Sequence, residues 1–231
     1  MTIKAIIPAK EFLYLTRFAS TEETRFYLNG VQIEPMGASV AMVATDGRVL
    51  GALKLESHEA RANGASFILS SCKELVRAAK GKCVYLVCRE SQVDIVRMGF
   101  SVADVAELES VSPDISIPAK IAYVDGTFPP EWRKVLPEGD AVPRQGKYKT
   151  DVDYCVGLDP TLLANFAGMG VSQAVSFDWN GDNAILVANP DPRFIGVIMP
   201  HISGEITDAI KARRGQFFAV QTIATTAEAA E

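Results

Sequence analysis

Cysteine and histidine are too few and too scattered in this sequence to suggest a metal centre. The 231-residue chain has four cysteines and two histidines, and no two cysteines have the C-x-x-C spacing. Structural zinc sites use four such ligands at short, regular spacings. All four cysteines lie in apolar segments, which favours buried and reduced thiols; they are Cys72, Cys83, Cys88 and Cys155. We therefore expect no metal and no cofactor.

Long apolar runs and catalytic motifs are also missing. No segment approaches the roughly 18 consecutive apolar residues that a membrane span needs. The N-terminal stretch is broken by Pro8 and carries Lys10 and Glu11, so it does not resemble a secretory signal. The sequence therefore predicts a cytoplasmic protein without a membrane partner. The sequence contains no G-x-S-x-G, P-loop, H-E-x-x-H or G-x-G-x-x-G motif, so we predict no catalytic residue.

Positive charge is not in excess. The 23 Lys and Arg residues against 28 Asp and Glu residues give a formal net charge of -5. This balance excludes a protein coated in basic charge, as many nucleic-acid-binding proteins are. A local basic groove remains compatible with it, because binding depends on how the charges are distributed.

The most strongly patterned stretch runs from Arg25 to Leu55. Three β-branched, apolar segments follow one another there, RFYLNGVQIE, SVAMVAT and RVLGALKL. The breaks at Pro35, Met36 and Gly37, and at Asp46 and Gly47, are rich in turn-forming residues. Short alternating segments joined by such turns predict an antiparallel meander.

The same order of elements occurs three times. The first unit has a strand at 3–7, a helix AKEFLYLTRFAS after Pro8, and the meander. The second starts at Ala65 and has a helix, SSCKELVRAAK, for which Ser71 and Glu74 predict a capping box. The third starts near Asp151, with a helix N-capped by Asp159, and a Pro- and Gly-rich connector, 125–149, precedes it. This repetition predicts an α+β fold with helices on one face of the sheets.

Two of the predicted helices carry a basic stripe opposite the apolar face. The stripes are Lys10, Tyr14 and Arg17 on the first helix, and Lys73, Arg77 and Lys80 on the second. One interpretation is an ordinary solvated face. The other is a surface for a polyanion such as duplex DNA, contacted without reading its sequence. The third predicted helix has no positive charge at its exposed positions.

Four landmarks in the chain resemble those of the bacterial sliding clamp, the beta subunit of DNA polymerase III. They are RFYLNGVQIE, VATDGRVL, DGTFPPEWRKVLP and FIGVIMP, in the family's order. The resemblance covers about 200 residues and implies a DNA-clamp fold. It aligns 1–137 with the family's middle domain and 138–203 with the closing half of its last domain, and leaves 204–231 as a C-terminal helix and tail. The family has six such units per chain and this sequence has three.

The resemblance also implies two sets of site residues. Arg25 and Tyr27 correspond to a loop that the family uses near DNA, whereas Phe26 is expected to be packed. A protein-binding pocket would take a short peptide with aliphatic and aromatic anchors. The residues at the matching positions are Leu28, Thr45, Gly47, Arg48, Leu50, Pro129, Lys134, Val135, Val197, Ile198, Met199 and Pro200.

These observations leave three hypotheses. The first is a non-enzymatic processivity factor, a homo-oligomer that encircles or cradles duplex DNA. It would tether a DNA polymerase, and a clamp loader would use the same short-peptide pocket. The second is a protein-interaction module that keeps the fold and the pocket without encircling DNA, which the missing units and the uncharged third helix favour. The third, an enzyme using Cys72 or His58, has no motif in its support.

Overall fold

The structure is a computed structural model. It describes residues 2–136, 158–167, 175–178 and 184–200. The first strand of the third predicted unit, Cys155, the turn at 180–183 and the C-terminal segment from 201 onward lie outside the described residues, as does the predicted boundary between 137 and 138.

The described elements alternate between antiparallel strands and short helices. The strands are β1 (Ile3–Pro8), β2 (Gly30–Met36), β3 (Ser39–Thr45), β4 (Val49–Leu55), β5 (Arg61–Ala62), β6 (Phe67–Ser70), β7 (Val84–Arg89), β8 (Gln92–Arg97), β9 (Ile115–Pro118), β10 (Tyr123–Val124), β11 (Ser176–Asp178), β12 (Ile185–Ala188) and β13 (Phe194–Ile198). The α-helices are α1 (Ala9–Leu15), α2 (Lys73–Ala78), α3 (Ala119–Ala122) and α4 (Pro160–Leu163). Four 3₁₀ helices span Glu23–Leu28, Val105–Ser110, Trp132–Val135 and Ala164–Phe166.

The strands form two sheets. A five-stranded sheet has the order β5-β1-β7-β8-β9, and an eight-stranded sheet has the order β10-β6-β2-β3-β4-β13-β12-β11. The first two units exchange their first strands, since β1 pairs with β7 of the second unit and β6 pairs with β2 of the first. The third unit extends the first, because β13 pairs with β4 along its whole length. The fold is α+β, as the sequence predicts.

One main core lies between the inner faces of the two sheets. Alternate residues of the longer strands point into it, and α1 and α2 contribute their apolar faces. Its members include Ile7, Phe12, Ile33, Met42, Leu53, Leu69, Leu75, Leu86 and Ile95, each 1% exposed or less. Both helices therefore lie on the inner faces of the sheets and present their other side to solvent.

A loop covers part of the outer face of each sheet. The five-stranded sheet packs Ile6 and Val87 against Val105 and Leu108 of the segment that follows β8. The eight-stranded sheet packs its outer residues against Phe128 and Trp132, which are 4% and 8% exposed. The prediction that this whole region is a connector is therefore wrong for residues 126–136, which we call the cover segment. Its two large aromatic side chains have an apolar sheet face to bury.

Three local predictions are corrected by hydrogen bonding. Residues 23–28 form a 3₁₀ helix instead of a strand, because the Asn29 amide nitrogen donates to Phe26 O at 2.9 Å and its side chain donates to Glu22 O at 3.1 Å. The capping box is absent, since Ser71 Oγ donates to Asn29 O at 3.0 Å and no side chain caps α2. Finally, β2 continues through Pro35 and Met36, and the turn is left to Gly37, with φ of 65°.

Candidate nucleic-acid surface and peptide groove

Four of the predicted DNA-binding cations lie exposed on the two inner helices. Lys10 is on α1, and Lys73, Arg77 and Lys80 are on or directly after α2. Within the described part of the chain no carboxylate lies within salt-bridge distance of these four side chains. The opposite face of α2 holds Leu75 in the main core. The arrangement leaves their positive charge available to an anionic partner.

The rest of the α1 stripe is used internally. Tyr14 is only 6% exposed, and its hydroxyl donates to Phe166 O at 3.3 Å, so the prediction of Tyr14 on an exposed stripe is wrong. Burial raises the pKa of Tyr14 to about 12. Arg17 is exposed, and its guanidinium donates to Ala167 O, directly after the 3₁₀ helix Ala164–Phe166 of the third unit. Arg17 therefore holds the third unit in place and retains part of its surface for solvent.

The 3₁₀ helix at 23–28 presents Arg25 and Tyr27 beside the Asp46–Gly47 turn. Arg25 donates to both carboxylate oxygens of Glu22, at 2.9 and 2.7 Å, and this pairing raises the pKa of Arg25. Its guanidinium lies directly over Gly47, where an added Cβ would sit 2.7 Å from Nη1. Phe26, expected to be packed, is 52% exposed and meets Tyr27 edge to face at 5.9 Å. This 3₁₀ helix thus presents two aromatic rings and one cation, Arg25, whose charge is balanced by Glu22.

The third unit contributes no positive charge here. As predicted, Asp159 caps α4 by accepting from the Thr161 amide nitrogen at 2.8 Å, and Pro160 occupies the first turn. Hydrogen bonds from the side chain and backbone of Thr161 lower the pKa of Asp159. Residues 158–167 contain no Lys or Arg. Among the helices that follow the first strand of each unit, the exposed cations of the described residues therefore lie on or beside α1 and α2.

The three segments predicted to form a protein-binding pocket converge in space. β13 aligns with β4 so that Val197 faces Leu50, and beyond the strand the Met199 amide nitrogen donates to Arg48 O at 2.8 Å. Phe128 and Trp132 of the cover segment belong to the same apolar cluster as Leu50 and Val197. Segments distant in sequence therefore meet on the outer face of the eight-stranded sheet.

We call this region the outer groove, after the pocket that the resemblance predicts here, and most of the residues predicted for that pocket lie in or around it. Leu28, Leu50 and Val197 form its apolar floor and are 3–4% exposed. Thr45, Gly47 and Arg48 belong to the turn that follows β3, where Asp46 Oδ1 accepts from the backbone of Arg48 and Val49. The exposed and half-buried rim residues are Pro129, Lys134, Val135, Met199 and Pro200.

Ile198 is the exception. It is fully buried in the main core, because side chains alternate along β13 and Val197 takes the outer face. We therefore leave Ile198 out of the outer groove. Sequence reasoning missed Phe128 and Trp132, although two large aromatic residues in an otherwise polar connector were a usable signal for a buried anchor.

No family model matches the chain, and no curated protein matches it in sequence. Solved structures do match. The DNA polymerase sliding clamp from Pseudomonas aeruginosa superposes with a TM-score of 0.54 at 18% identity, over 86% of this chain and 66% of that one. The Caulobacter crescentus pol III beta gives 0.53 at 21% identity, over 87% and 66%. The Borrelia burgdorferi DNA polymerase III subunit beta gives 0.57 at 13% identity, over 86% and 62%.

The chain has the fold of the bacterial sliding clamps. The family resemblance seen in the sequence is confirmed at this level, and the low identities describe a divergent version of the fold. The chain spans just under two thirds of the length of the solved clamps first matched, at 66%.

In this clamp fold the cover segment is fixed by charge as well as by apolar packing. Glu34 on β2 accepts from Trp132 Nε1 at 3.2 Å and from Arg133 Nη1 at 3.0 Å. The Arg133 guanidinium also lies over the Trp132 ring, 4.2 Å from its centroid. These contacts hold one side of the outer groove in position.

Neither a metal centre nor a membrane-spanning helix is found in the ranges that the structure describes. No group of three or more His, Cys, Asp or Glu side chains there could hold a metal ion. No helix in those ranges is both long and apolar enough to cross a bilayer.

Proposed function

We propose that the protein is a non-enzymatic, sliding-clamp-like processivity factor that binds duplex DNA without reading its sequence. The observation that carries this proposal is the clamp fold combined with four unpaired, exposed cations on α1 and α2. Lys10, Lys73, Arg77 and Lys80 would neutralise phosphates, and Arg17, Arg25 and Tyr27 would add contacts at the margin. Contacts of this kind position a protein on DNA without specifying a base.

The mechanism requires no bond making. A protein held on DNA by topology, with weak and exchangeable phosphate contacts, moves along the duplex while remaining associated with it. Self-assembly of several subunits into a ring around the duplex is part of the proposal. A clamp loader would open such a ring.

The outer groove would tether the polymerase. Its apolar floor and half-exposed Met199 suit a short peptide with aliphatic and aromatic anchors. Lys134 and Arg48 on the rim would face acidic residues of that peptide. The loader would compete for the same groove, because both partners would present the same kind of peptide.

The test is retention on DNA. We expect the triple variant Lys73→Glu, Arg77→Glu and Lys80→Glu to lose retention on nicked circular DNA and to show a flatter salt dependence of binding to linear DNA. The control replaces Lys54, Arg61 and Lys134 by Glu, which changes the net charge equally away from α1 and α2. Equal retention of the two triple variants would contradict the proposal, and circular dichroism would verify that both remain folded.

A second function is favoured by α4, which lacks positive charge. In it the protein is an interaction module that binds replication proteins through the outer groove and does not encircle DNA. This module would bind peptides normally as a monomer, and the triple charge reversal would leave its activity unchanged. Mass in solution together with DNA retention separates the two functions.

A further inference from the structure

A second groove lies on the opposite side of the cover segment. It has a volume of about 230 Å³ and is bounded by β2, β6 and residues 126–130. It shares Phe128 of the cover segment with the apolar cluster beneath the outer groove. The residues that matter for its chemistry are Gln32, Glu34, Ser66, Ile68, Thr127 and Phe128. We call it the β2–β6 groove.

Gln32 is the unusual residue of this groove. It lies in the middle of β2 and is only 6% exposed, yet its carboxamide makes no hydrogen bond to any described residue. Its neighbours across the strands, Ile68 and Val43, both belong to the outer apolar cluster, so Gln32 points toward the groove. A glutamine side chain that is more than nine-tenths buried and has no protein partner is uncommon in folded proteins, and here its amide is left facing the groove.

The half-buried carboxamide of Gln92 provides a contrast within the same chain. Its Nε2 donates to Asp94 Oδ1 at 2.6 Å and to Ser116 Oγ at 3.3 Å. The fold therefore satisfies a glutamine amide where that amide has a structural role. In the β2–β6 groove the donor and the acceptor of Gln32 are both left available.

The β2–β6 groove is also electrically neutral. Its one carboxylate, Glu34, is compensated by Arg133 and by the Trp132 indole. Neither Ser66 nor Thr127 uses its hydroxyl within the described part of the chain. Ile68 and Phe128 supply apolar walls. A neutral cavity with a free amide and two hydroxyls favours a neutral ligand that both donates and accepts hydrogen bonds.

We propose that the β2–β6 groove binds an uncharged peptide unit of a protein partner. A main-chain amide offers one donor and one acceptor in a plane, which matches the carboxamide of Gln32. The volume equals roughly eight water molecules at about 30 Å³ each, enough for a peptide unit with a small side chain. No cation lines this groove to compensate a phosphate, which favours a peptide over a nucleotide.

Side-chain amide signals in ¹⁵N-labelled protein test this assignment. We expect N-methylacetamide to shift the Gln32 carboxamide signals saturably, whereas the Gln92 signals stay in place. Methyl acetate, which has the same shape without the N–H donor, should bind at least tenfold more weakly. Gln32→Met should abolish the response to N-methylacetamide without lowering thermal stability, since the substitution breaks no hydrogen bond to a described residue.

Three results would overturn the proposal. One is a Gln32 signal that does not saturate, and another is an equal response to methyl acetate. The third is a saturable shift with adenosine and none with N-methylacetamide, which would assign the groove to a nucleobase. Thr127→Val serves as a second variant and should weaken the amide at least threefold in a protein that unfolds at the same temperature.

Discussion

Arg193 joins three separate parts of the molecule through carboxylates. Its guanidinium bonds to Asp191 at 2.7 Å, to Glu59 at 2.6 Å and to Glu11 on α1 at 3.4 Å. The hydrogen bonds from Arg193 lower the pKa of Asp191. Glu11 is different, because burial raises its pKa and outweighs the favourable charge of Arg193. One network therefore contains a carboxylate that favours its charged form and another that resists it.

Glu11→Gln tests this difference. A raised pKa means that the folded state holds the Glu11 proton more tightly than the unfolded chain does. The stabilisation that this proton supplies is complete below the unfolded pKa of about 4.3 and is lost as pH rises through the folded pKa. We therefore expect the free energy of unfolding of Glu11→Gln to increase relative to that of the wild type as the pH rises from 4 to 7, as measured by urea unfolding. A difference that is constant with pH would contradict the raised pKa.

At the scale of elements, two glycines allow the third unit to join the first. Gly51 of β4 and Gly196 of β13 face each other across the strand pair. The Phe18 ring lies over Gly51 and the Phe166 ring over Gly196, and the two rings meet edge to face at 5.1 Å. Since both positions lack a side chain, aromatic rings from two units pack directly on the sheet backbone.

Gly196→Ala should destabilise this junction. The new Cβ would lie 2.4 Å from the Phe166 ring, and moving that ring disturbs its contact with Phe18. We expect a loss of about 1–3 kcal/mol in the free energy of unfolding, which is typical of overpacking in a core. Gly99→Ala is the matched control, because nothing lies within 4 Å of its Cβ position. Equal stability of the two variants in urea unfolding would contradict tight packing at the junction.

The sequence predicts most of the elements and few of their long-range pairings. β3 and β4 could be predicted because their segments alternate with the turns at Gly37 and at Asp46–Gly47, and such turns depend on local sequence. The strand prediction is wrong at residues 25–28. Phe26, Tyr27 and Leu28 are residue types that are common in strands, but the hydrogen bond from the Asn29 amide nitrogen closes a 3₁₀ helix there. The periodicity within each unit does not predict that β1 and β6 each pair with a strand of the other unit. The resemblance of the four landmarks predicted that the segments of the outer groove would meet in space. No pattern of periodicity predicted this.

At the scale of the whole molecule, the outer groove is the place where distant segments could bind a partner. Met199→Asp should weaken binding of a short peptide that carries Gln followed by Leu and Phe anchors. The wild type should bind it with micromolar affinity, about -8 kcal/mol, and the variant should lose about 2 kcal/mol because the new carboxylate has no partner in an apolar groove. Fluorescence anisotropy measures both affinities. Ile115→Asp is a control, since Ile115 is similarly exposed, at 42% against 48%, and lies on β9 of the other sheet; equal weakening would place the peptide elsewhere.

Assembly is the last property that belongs to the whole molecule. The eight-stranded sheet ends at β11, a strand paired on one side only among the described strands, where Phe177 is 48% exposed. An uncovered edge of this kind pairs readily with another chain, and an exposed aromatic residue beside it adds apolar contact. We therefore expect sedimentation at micromolar concentration to show an oligomer.

Phe177→Lys should shift this oligomer toward the monomer, because Lys at a sheet edge opposes pairing. Phe100→Lys changes a residue that is 65% exposed in the turn after β8 and should leave the mass unchanged. A wild-type monomer would remove ring formation and favour the interaction module, whereas an oligomer that Phe177→Lys leaves intact would place the interface at another edge.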